Sequence, residues 1–355
     1  MKILYVTKHY NHCGYLILEK LIKQGFDVIG VLLPNEKQIL NKKYFHWINR
    51  IIYRFECLYY KCEPIKALKS EELLAKRNKI KVYKTDSMKS ERFFNQLCEI
   101  FPDIIVIGGG WHELIPAKVF TFPNCGTINI HPSLLPDFQG TSITRWQVLF
   151  GVNKSGSSIT YVNEEFDKGD ILVQKVIDVK SSDTPQNLFY NIALISSEII
   201  IPLLEKFASG EKVRSFKIEK KSKYSRYYSK WDWSKSKLLI DWNMPLNKIH
   251  YFVKANTQES FKYLGPIFTY NKKKYFLRKT NIWSIDQTWF IPNNDNSNFK
   301  VVKRSKSSVY IWRKTEKFIL ELISVQLYNK FYFINRACNP TKIINNKIGE
   351  EIILT

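Results

Sequence analysis

The stretch G-T-I-N-I-H-P-S-L-L-P-D-F-Q-G, residues 126–140, decides how this chain folds and where its chemistry lies. Polar residues alternate with apolar ones up to Asn129 and His131, which predicts a strand whose same-side residues project together at its end. Pro132 stops that strand. The short loop 133–136 then stands where open α/β sheets usually bind their ligands.

An aspartate follows 36 residues after the histidine, in the turn F-D-K-G-D (166–170) between two apolar runs that predict strands. The turn can return the carboxylate of Asp167 to His131. An amide, an imidazole and a carboxylate suit acyl transfer, because Asn129 and protonated His131 can donate to an oxyanion while Asp167 orients and charges the ring. Each residue alone is more often an ordinary turn or core residue, so the combination carries the prediction.

These motifs, N-I-H-P-S-L-L-P (129–136), the aspartate turn and the intervening G-S-S-I-T-Y-V (156–162), resemble the folate-dependent formyltransferase family. That family includes the glycinamide ribonucleotide, methionyl-tRNA and sugar N-formyltransferases. The resemblance implies that Asn129, His131 and Asp167 form the catalytic trio and that N10-formyltetrahydrofolate is the formyl donor, with no metal. It also implies an α/β, Rossmann-like formyltransferase domain with a mostly parallel sheet.

A chain of 355 residues is long enough for two domains. Its opening predicts β-α-β order, with elements at Ile3 to Val6, Tyr15 to Gln24 and Val28 to Leu33. We expect a catalytic domain over residues 1–210, a basic, aromatic linker over 211–236 and a smaller β-rich domain over 237–355. The last resembles, more loosely, the OB-fold-like barrel of methionyl-tRNA and aminoarabinose formyltransferases.

Binding residues follow from the loops after the predicted strands. Gly108-Gly109-Gly110 would let a flat ring approach the main chain, and in the family the matching segment lines the pterin pocket. The residues assigned to the folate site are Trp111, His112, Glu113, Leu114, Glu164 and Glu165. Those assigned to the acceptor are Lys8, His9 and Trp146, with a solvated loop as the alternative for Lys8. The first loop holds one glycine, so it predicts no NAD site.

Charge separates the candidate substrates. Residues 1–210 carry 26 Lys+Arg and 21 Asp+Glu, net +5, and residues 211–355 carry 29 and 11, net +18, which together give the total of +23. Such a cationic region suits tRNA or reflects a Lys-rich composition. Against tRNA, residues 137–139 read D-F-Q where the family's tRNA enzymes carry arginines after S-L-L-P.

The favoured prediction is therefore N-formylation of a nucleotide-linked deoxyamino sugar, such as dTDP-4-amino-4,6-dideoxyglucose, for O-antigen or other lipopolysaccharide synthesis. Methionyl-tRNA formyltransferase is the alternative, and a noncatalytic binding module is the third hypothesis. By the resemblance we expect a homodimer that binds no nucleic acid.

Two features that the sequence lacks predict where in the cell the protein is found. The six cysteines form no C-x-x-C pair, and no apolar run reaches about 18 residues, which favours a cytoplasmic protein with free thiols and no transmembrane segment. Between Lys37 and Lys66, aromatic and basic residues recur at helical spacing. This stretch predicts an amphipathic helix that packs on the domain or meets a membrane surface or an acidic partner.

Overall fold

The computed structural model of this chain describes residues 1–9, 11–35, 70–219, 222–232, 234–256, 265–289, 291, 298–328, 338–348 and 350–355. The helix predicted between Lys37 and Lys66 lies outside them. The chain divides into two compact units, Met1–Thr144 with Val152–Lys230, and Arg145–Gly151 with Trp231–Thr355. The boundaries predicted at 210 and 236 remain predictions.

The first unit is built on a seven-stranded sheet with the order β3-β2-β1-β4-β5-β7-β8. Its elements are β1 Lys2–Val6, α1 His12–Lys23, β2 Asp27–Pro34, α2 Glu71–Arg77, β3 Lys81–Thr85, α3 Glu91–Ile100, β4 Ile104–Ile107, α4 Ala117–Phe120, β5 Thr127–His131, β6 Gln139–Gly140, β7 Lys154–Tyr161, β8 Ile171–Asp178, α6 Pro185–Ala208 and β9 Tyr227–Tyr228. Helix α5, Ile143–Phe150, follows β6 in the sequence, and its residues from Arg145 onward belong to the second unit. The strands from β3 to β5 pair in parallel, and β7 and β8 pair antiparallel. The predicted α/β class with a mostly parallel sheet is confirmed.

The middle of this sheet explains where a ligand can enter. Strand β4 is buried along its whole length, as expected of a parallel strand covered on both faces. Strand β1 lies between β2 and β4, so the chain leaves β1 toward one edge of the sheet and later returns on its other side. The loops that follow β1 and β4 therefore diverge and leave a crevice at their carboxyl ends, the usual ligand position in such sheets.

Helix α6 is the longest helix among the described residues. Thr184 caps it through its side chain, and Pro185 occupies the first turn. Among the described residues this helix alone is long and apolar enough to cross a membrane by length and composition, although 44% of its most apolar window is buried inside the protein. Its residues Ile200 and Leu204 belong to the main hydrophobic core together with Ile17 of α1, a placement typical of a core helix.

The second unit is β-rich, as predicted for the C-terminal part. Its six-stranded antiparallel sheet has the order β10-β11-β14-β13-β12-β15. The elements are α7 Leu246–Asn256, β10 Ile267–Tyr270, β11 Lys273–Ser284, β12 Phe299–Arg304, β13 Val309–Trp312, β14 Phe318–Leu327 and β15 Glu351–Ile352. Trp242, Leu246 and Phe268 pack into its core with strand residues such as Leu277 and Ile311.

Candidate active site

A cavity of about 660 Å³ opens in the first unit at the carboxyl ends of β1, β4 and β5. Its size lies in the range usual for small-molecule sites. Loops after these three strands supply much of its wall, including Lys8, the run from Gly108 to Leu114, and Asn129 with His131. Asp167 also lines it, so the structure brings the predicted trio together in one cavity.

The trio meets at one oxygen of Asp167, and the main chain holds the other oxygen. Nδ1 of His131 lies 3.2 Å from Oδ1 of Asp167, and Nδ2 of Asn129 donates to the same oxygen over 3.4 Å. The main-chain N–H of Gly140 donates to Oδ2 over 2.8 Å. On the other side of the imidazole, Nε2 of His131 lies 2.8 Å from the carbonyl oxygen of Phe138.

These contacts fix the charge of the histidine. Both ring nitrogens of His131 face oxygen acceptors, and only the doubly protonated ring can donate to both. Burial acts to lower the pKa of His131, but the charge and hydrogen bond of Asp167 and the Phe138 carbonyl outweigh it, so the pKa is raised from 6.5. Burial acts to raise the pKa of Asp167, but His131 and the Gly140 N–H lower it below 3.8. Both shifts favour the charged forms of the pair, an imidazolium beside a carboxylate.

A tight turn aims the carboxylate at the histidine. Asp167 has φ +56°, in the left-handed region that aspartate occupies more readily than most residues. Two residues later the backbone passes so close to β7 that a Cβ at Gly169 would lie 1.7 Å from the carbonyl oxygen of Tyr161. Only glycine fits there, which explains the glycine of the F-D-K-G-D motif.

The loop 132–138, between β5 and β6, is held by residues 222–230, which we call the strap. Oδ1 of Asp137 accepts hydrogen bonds from the hydroxyls of Ser222, 2.7 Å, and Ser225, 2.5 Å. The main-chain N–H of Phe138 donates to the Tyr224 carbonyl over 3.1 Å. Strand β6 then pairs with β9, which lies within the strap. The strap thus fixes the loop whose main chain contacts both His131 and Asp167.

Close packing completes this anchorage. The ring of Phe138 is stacked between Tyr224 and Tyr228, with centroids 5.0 and 5.1 Å away. Gly140 has φ +107°, and a Cβ there would lie 2.1 Å from the Tyr228 carbonyl oxygen. These strap residues lie in the stretch 211–236 that was predicted to be a linker.

Of the residues assigned to the folate site, Trp111, His112, Glu113, Leu114 and Glu165 line the cavity, and Glu164 is not among its lining residues. The carboxylate of Glu113 is engaged within the protein: it accepts from Ser87 Oγ, 2.8 Å, Met88 N, 2.6 Å, and Trp111 Nε1, 3.1 Å. Burial acts to raise the pKa of Glu113, but these donors lower it overall. Glu113 therefore fastens the loop that contains it, while the folate roles of the six residues remain predictions.

One of the three residues assigned to the acceptor lines the cavity. Lys8 lines the cavity. His9 does not, and its Nε2 lies 2.9 Å from the carbonyl oxygen of Pro34. Trp146 belongs to the second unit, where its ring meets that of Trp231 at a centroid distance of 4.6 Å. The roles of all three remain predictions.

Two further residues of the strap, Tyr227 and Lys230, line the cavity, and the sequence analysis missed them. No motif marks them, since they follow Asp167 by 60 and 63 residues in a stretch without recognisable periodicity. Within the described ranges no group of three or more His, Cys, Asp or Glu side chains is placed to hold a metal ion.

The fold and the site define an α/β enzyme of acyl-group transfer, because an amide donor, a charged imidazole and a carboxylate meet at a ligand-sized cavity. Residues 60–203 match the sequence model of the formyl transferase family. This match spans 144 of the 355 residues and includes Asn129, His131 and Asp167, so the matched part of the chain is similar to the formyl transferases. A methionyl-tRNA formyltransferase of Caldanaerobacter subterraneus is 24% identical over 239 residues, 67% of this chain and 69% of that protein. That of Buchnera aphidicola is 26% identical over 261 residues, 73% of this chain and 77% of the relative.

Solved structures with the same fold include WlaRD, a sugar 3N-formyl transferase crystallised with dTDP and 5-N-formyl-THF. It superposes with a TM-score of 0.60 at 18% identity, over 93% of this chain and 98% of that one. An N-formyltransferase from Helicobacter canadensis, in complex with folinic acid and dTDP-3-aminofucose, gives a TM-score of 0.60 at 17% identity. The superposition covers 91% of this chain and 99% of that one. These likenesses extend across both units and establish the common fold.

Proposed function

We propose that this chain transfers the formyl group of N10-formyltetrahydrofolate to the amino group of a nucleotide-linked deoxyamino sugar. The observation that carries the proposal is the buried His131–Asp167 pair beside Asn129 at the cavity wall. The solved relatives whose printed ligands are a folate and a dTDP compound support both substrate classes. A dTDP-4-amino-4,6-dideoxyglucose used for O-antigen or lipopolysaccharide is one member of this class.

The wall formed by Gly108, Gly109 and Gly110 fits a flat donor ring. A Cβ at Gly108 would lie 1.8 Å from the Tyr5 hydroxyl, and a Cβ at Gly109 would lie 2.0 Å from Oγ1 of Thr7. The backbone therefore packs directly on β1 and leaves no side chain on this stretch of the wall. Gly110, with φ +71°, turns the chain toward Trp111 and Leu114, which line the same cavity. We assign the pterin ring to this loop, where the donor would supply the formyl group.

The trio has separable tasks in this reaction. Asn129 Nδ2 and the Nδ1–H of His131 converge on one oxygen of Asp167, so both donors point into the same small region. A formyl oxygen that gains negative charge there would accept a hydrogen bond from the second N–H of the Asn129 amide and would be stabilised by the positive charge of His131. The Phe138 carbonyl keeps the ring in place from its other nitrogen, so little reorganisation is needed.

Of Asn129, His131 and Asp167, only one is a suitable acceptor for the proton that the attacking amine releases. His131 already carries protons on both nitrogens, and a primary amide such as that of Asn129 is not basic. The carboxylate of Asp167 is the basic member of the trio, and it lines the cavity. We therefore assign Asp167 to the relay of this proton from the attacking amine to the folate N10 as the bond between N10 and the formyl carbon breaks, and His131 to charge stabilisation.

Methionyl-tRNA formyltransferase is the second candidate, because the curated relatives named above carry that name. The loop after S-L-L-P argues against it. Asp137 in that loop is fixed by two serine hydroxyls of the strap, and an acidic residue there repels an RNA backbone rather than attracting it. The first candidate also predicts a homodimer and a cytoplasmic enzyme, in keeping with its small water-soluble substrates.

One assay separates the candidates. Purified protein is incubated with N10-formyltetrahydrofolate, and tetrahydrofolate release is followed against dTDP- and UDP-linked 3- and 4-amino sugars, with methionyl-tRNA in parallel. Turnover with one nucleotide sugar is expected, and mass spectrometry of the product should show one added formyl group. Turnover with methionyl-tRNA alone would reject the sugar substrate. Size-exclusion chromatography with light scattering tests the dimer.

A further inference from the structure

The acidic groups that line the cavity are each matched by a partner. Asp167 is paired with His131, and Glu165 is paired with Lys168. Glu113 accepts three hydrogen bonds from protein donors. None of these three carboxylates forms an ion pair with Lys8 or Lys230 in the part of the chain that the structure describes.

Two lysines of the lining stand in contrast. Lys8 and Lys230 both line the cavity, and neither makes an ion pair or a hydrogen bond through its ammonium group with any described residue. Lys8 is only partly exposed. A Cβ placed at Gly110 would lie 3.9 Å from its Nζ, so the ammonium stands beside the glycine wall. Within the described lining, Lys8 and Lys230 are therefore two ammonium groups that no carboxylate pairs.

The two ammonium groups also act on each other. Burial lowers the pKa of Lys8 from 10.5, and the positive charge of Lys230 lowers it further. Like charges brought together in a partly buried place are unfavourable unless an anion lies between them or close by. Helix α1 begins at His12, four residues after Lys8, with no acidic residue in its first turn. The positive end of its dipole adds to the same field.

We propose that Lys8 and Lys230 together bind the phosphate or diphosphate of the amine acceptor, so that the strap forms part of the acceptor site. Lysine binds phosphate as a compact charge on a flexible stem, which suits a group that must enter and leave with each turnover. The two lysines come from opposite ends of the first unit's sequence, and the pairing of β6 with β9 leads the strap past Tyr227 to Lys230 at the cavity. This inference rests on the proposed function for the identity of the acceptor.

The first test uses steady-state kinetics with the nucleotide-linked amino sugar that gives turnover in the assay described above. Lys8→Met and Lys230→Met remove one charge each and keep an unbranched side chain. Each is expected to raise KM for the acceptor about tenfold, since a hydrogen bond to a charged group contributes about this much. KM for N10-formyltetrahydrofolate should stay within about twofold, while Lys217→Met, an exposed lysine outside the cavity lining, should match the unaltered protein. A rise in KM for the folate instead would place its glutamate tail at these lysines and overturn the proposal.

Calorimetry tests the site without formyl transfer. Inorganic pyrophosphate is titrated into the unaltered protein, Lys230→Met, the double variant and Lys217→Met at low salt. We expect pyrophosphate to bind to the unaltered protein and to Lys217→Met, and not to bind to the double variant. Equal binding by all four proteins would overturn the proposal. If no amino sugar is formylated while pyrophosphate still binds through the two lysines, the proposed function fails and the anion site stands. Lys230 is exposed, so its single variant remains informative if Lys8→Met does not fold.

Discussion

Oδ1 of Asp167 lies 3.2 Å from Nδ1 of His131, although the two residues are 36 positions apart. The contact depends on the antiparallel pairing of β5 with β7, which places His131 opposite Ser158. The turn after β7 then carries Asp167 back over the end of β5. The buried pair therefore forms only when β5, β7 and the turn after β7 are all folded.

Loss of any member of the trio should reduce turnover. We expect Asn129→Ala, His131→Ala and Asp167→Asn each to lower kcat by about 10²- to 10³-fold, because each removes a hydrogen bond or charge directed at the reacting group. Circular dichroism should show that the fold is retained. Formyl transfer at the rate of the unaltered protein by a well-folded His131 or Asp167 variant would refute the assignment of the site.

The charge of His131 should depend on Asp167. In ¹³C- or ¹⁵N-histidine NMR titrations the ring should titrate above its ordinary 6.5, and its pKa should fall in Asp167→Asn, where burial acts against the charged form without a neighbouring carboxylate. His250, whose buried ring has a pKa of about 4, gives an internal reference. An unchanged His131 titration in Asp167→Asn would contradict an ionic pair.

The same pair should make stability depend on pH. The raised pKa of His131 gives a contribution that is complete below pH 6.5 and is lost as pH rises through the folded pKa. The lowered pKa of Asp167 gives one that is complete above pH 3.8 and is lost as pH falls through the folded pKa. The difference in Tm between the unaltered protein and Asp167→Asn should therefore be largest between those two values.

Strap anchorage should affect catalysis at a distance. Asp137→Ala removes the acceptor of both serine hydroxyls, and we expect a loss of about 2 kcal/mol in unfolding free energy. A fall in kcat of about tenfold should accompany it, because the adjoining main chain contacts His131 and Asp167. Asp178→Ala, at an exposed strand end, is the control. Ser222→Ala with Ser225→Ala should reproduce the effect; unchanged kcat in both would remove the strap from the positioning of the trio.

Gly140 should tolerate no side chain. Gly140→Ala would place a Cβ 2.1 Å from the Tyr228 carbonyl at φ +107°, and we expect at least about 3 kcal/mol of destabilisation. Gly25 also has a positive φ, +76°, but nothing lies within 4 Å of its Cβ position. Gly25→Ala should therefore cost only about 1 kcal/mol, and denaturant unfolding of the two variants separates close packing from backbone strain.

Glu113 should act on folate binding through the loop it fastens. We expect Glu113→Gln to weaken folate binding about tenfold in a fluorescence titration, since it exchanges charge-assisted hydrogen bonds for neutral ones. Glu99→Gln, on the exposed face of α3, should bind as the unaltered protein does. A Glu113 variant with normal folate affinity would show that the loop holds its shape without this carboxylate.

Local patterns in the sequence were enough to predict most of the first unit. The β-branched run of β4, the alternation in β5 and the Thr184-Pro185 start of α6 are set by neighbouring residues, so each could be recognised without a structure. The motif with Asn129 and His131 could also be recognised from neighbouring residues, because these two residues are two positions apart on one strand. Helix α3 and strand β12 had no comparably strong signal and were not predicted.

The sequence by itself therefore determined the class of fold, and it predicted the trio and the resemblance to the formyltransferases. Only the tertiary structure decided what surrounds the trio: the Phe138 carbonyl and Gly140 N–H that fix its charges, the three donors that occupy Glu113, and the approach of Lys230 to the cavity of Lys8. The physical reason is that periodicity and turn chemistry act over a few residues. Hydrogen bonds and charge balance depend on which distant segments meet, and main-chain groups are the same at every position of the sequence.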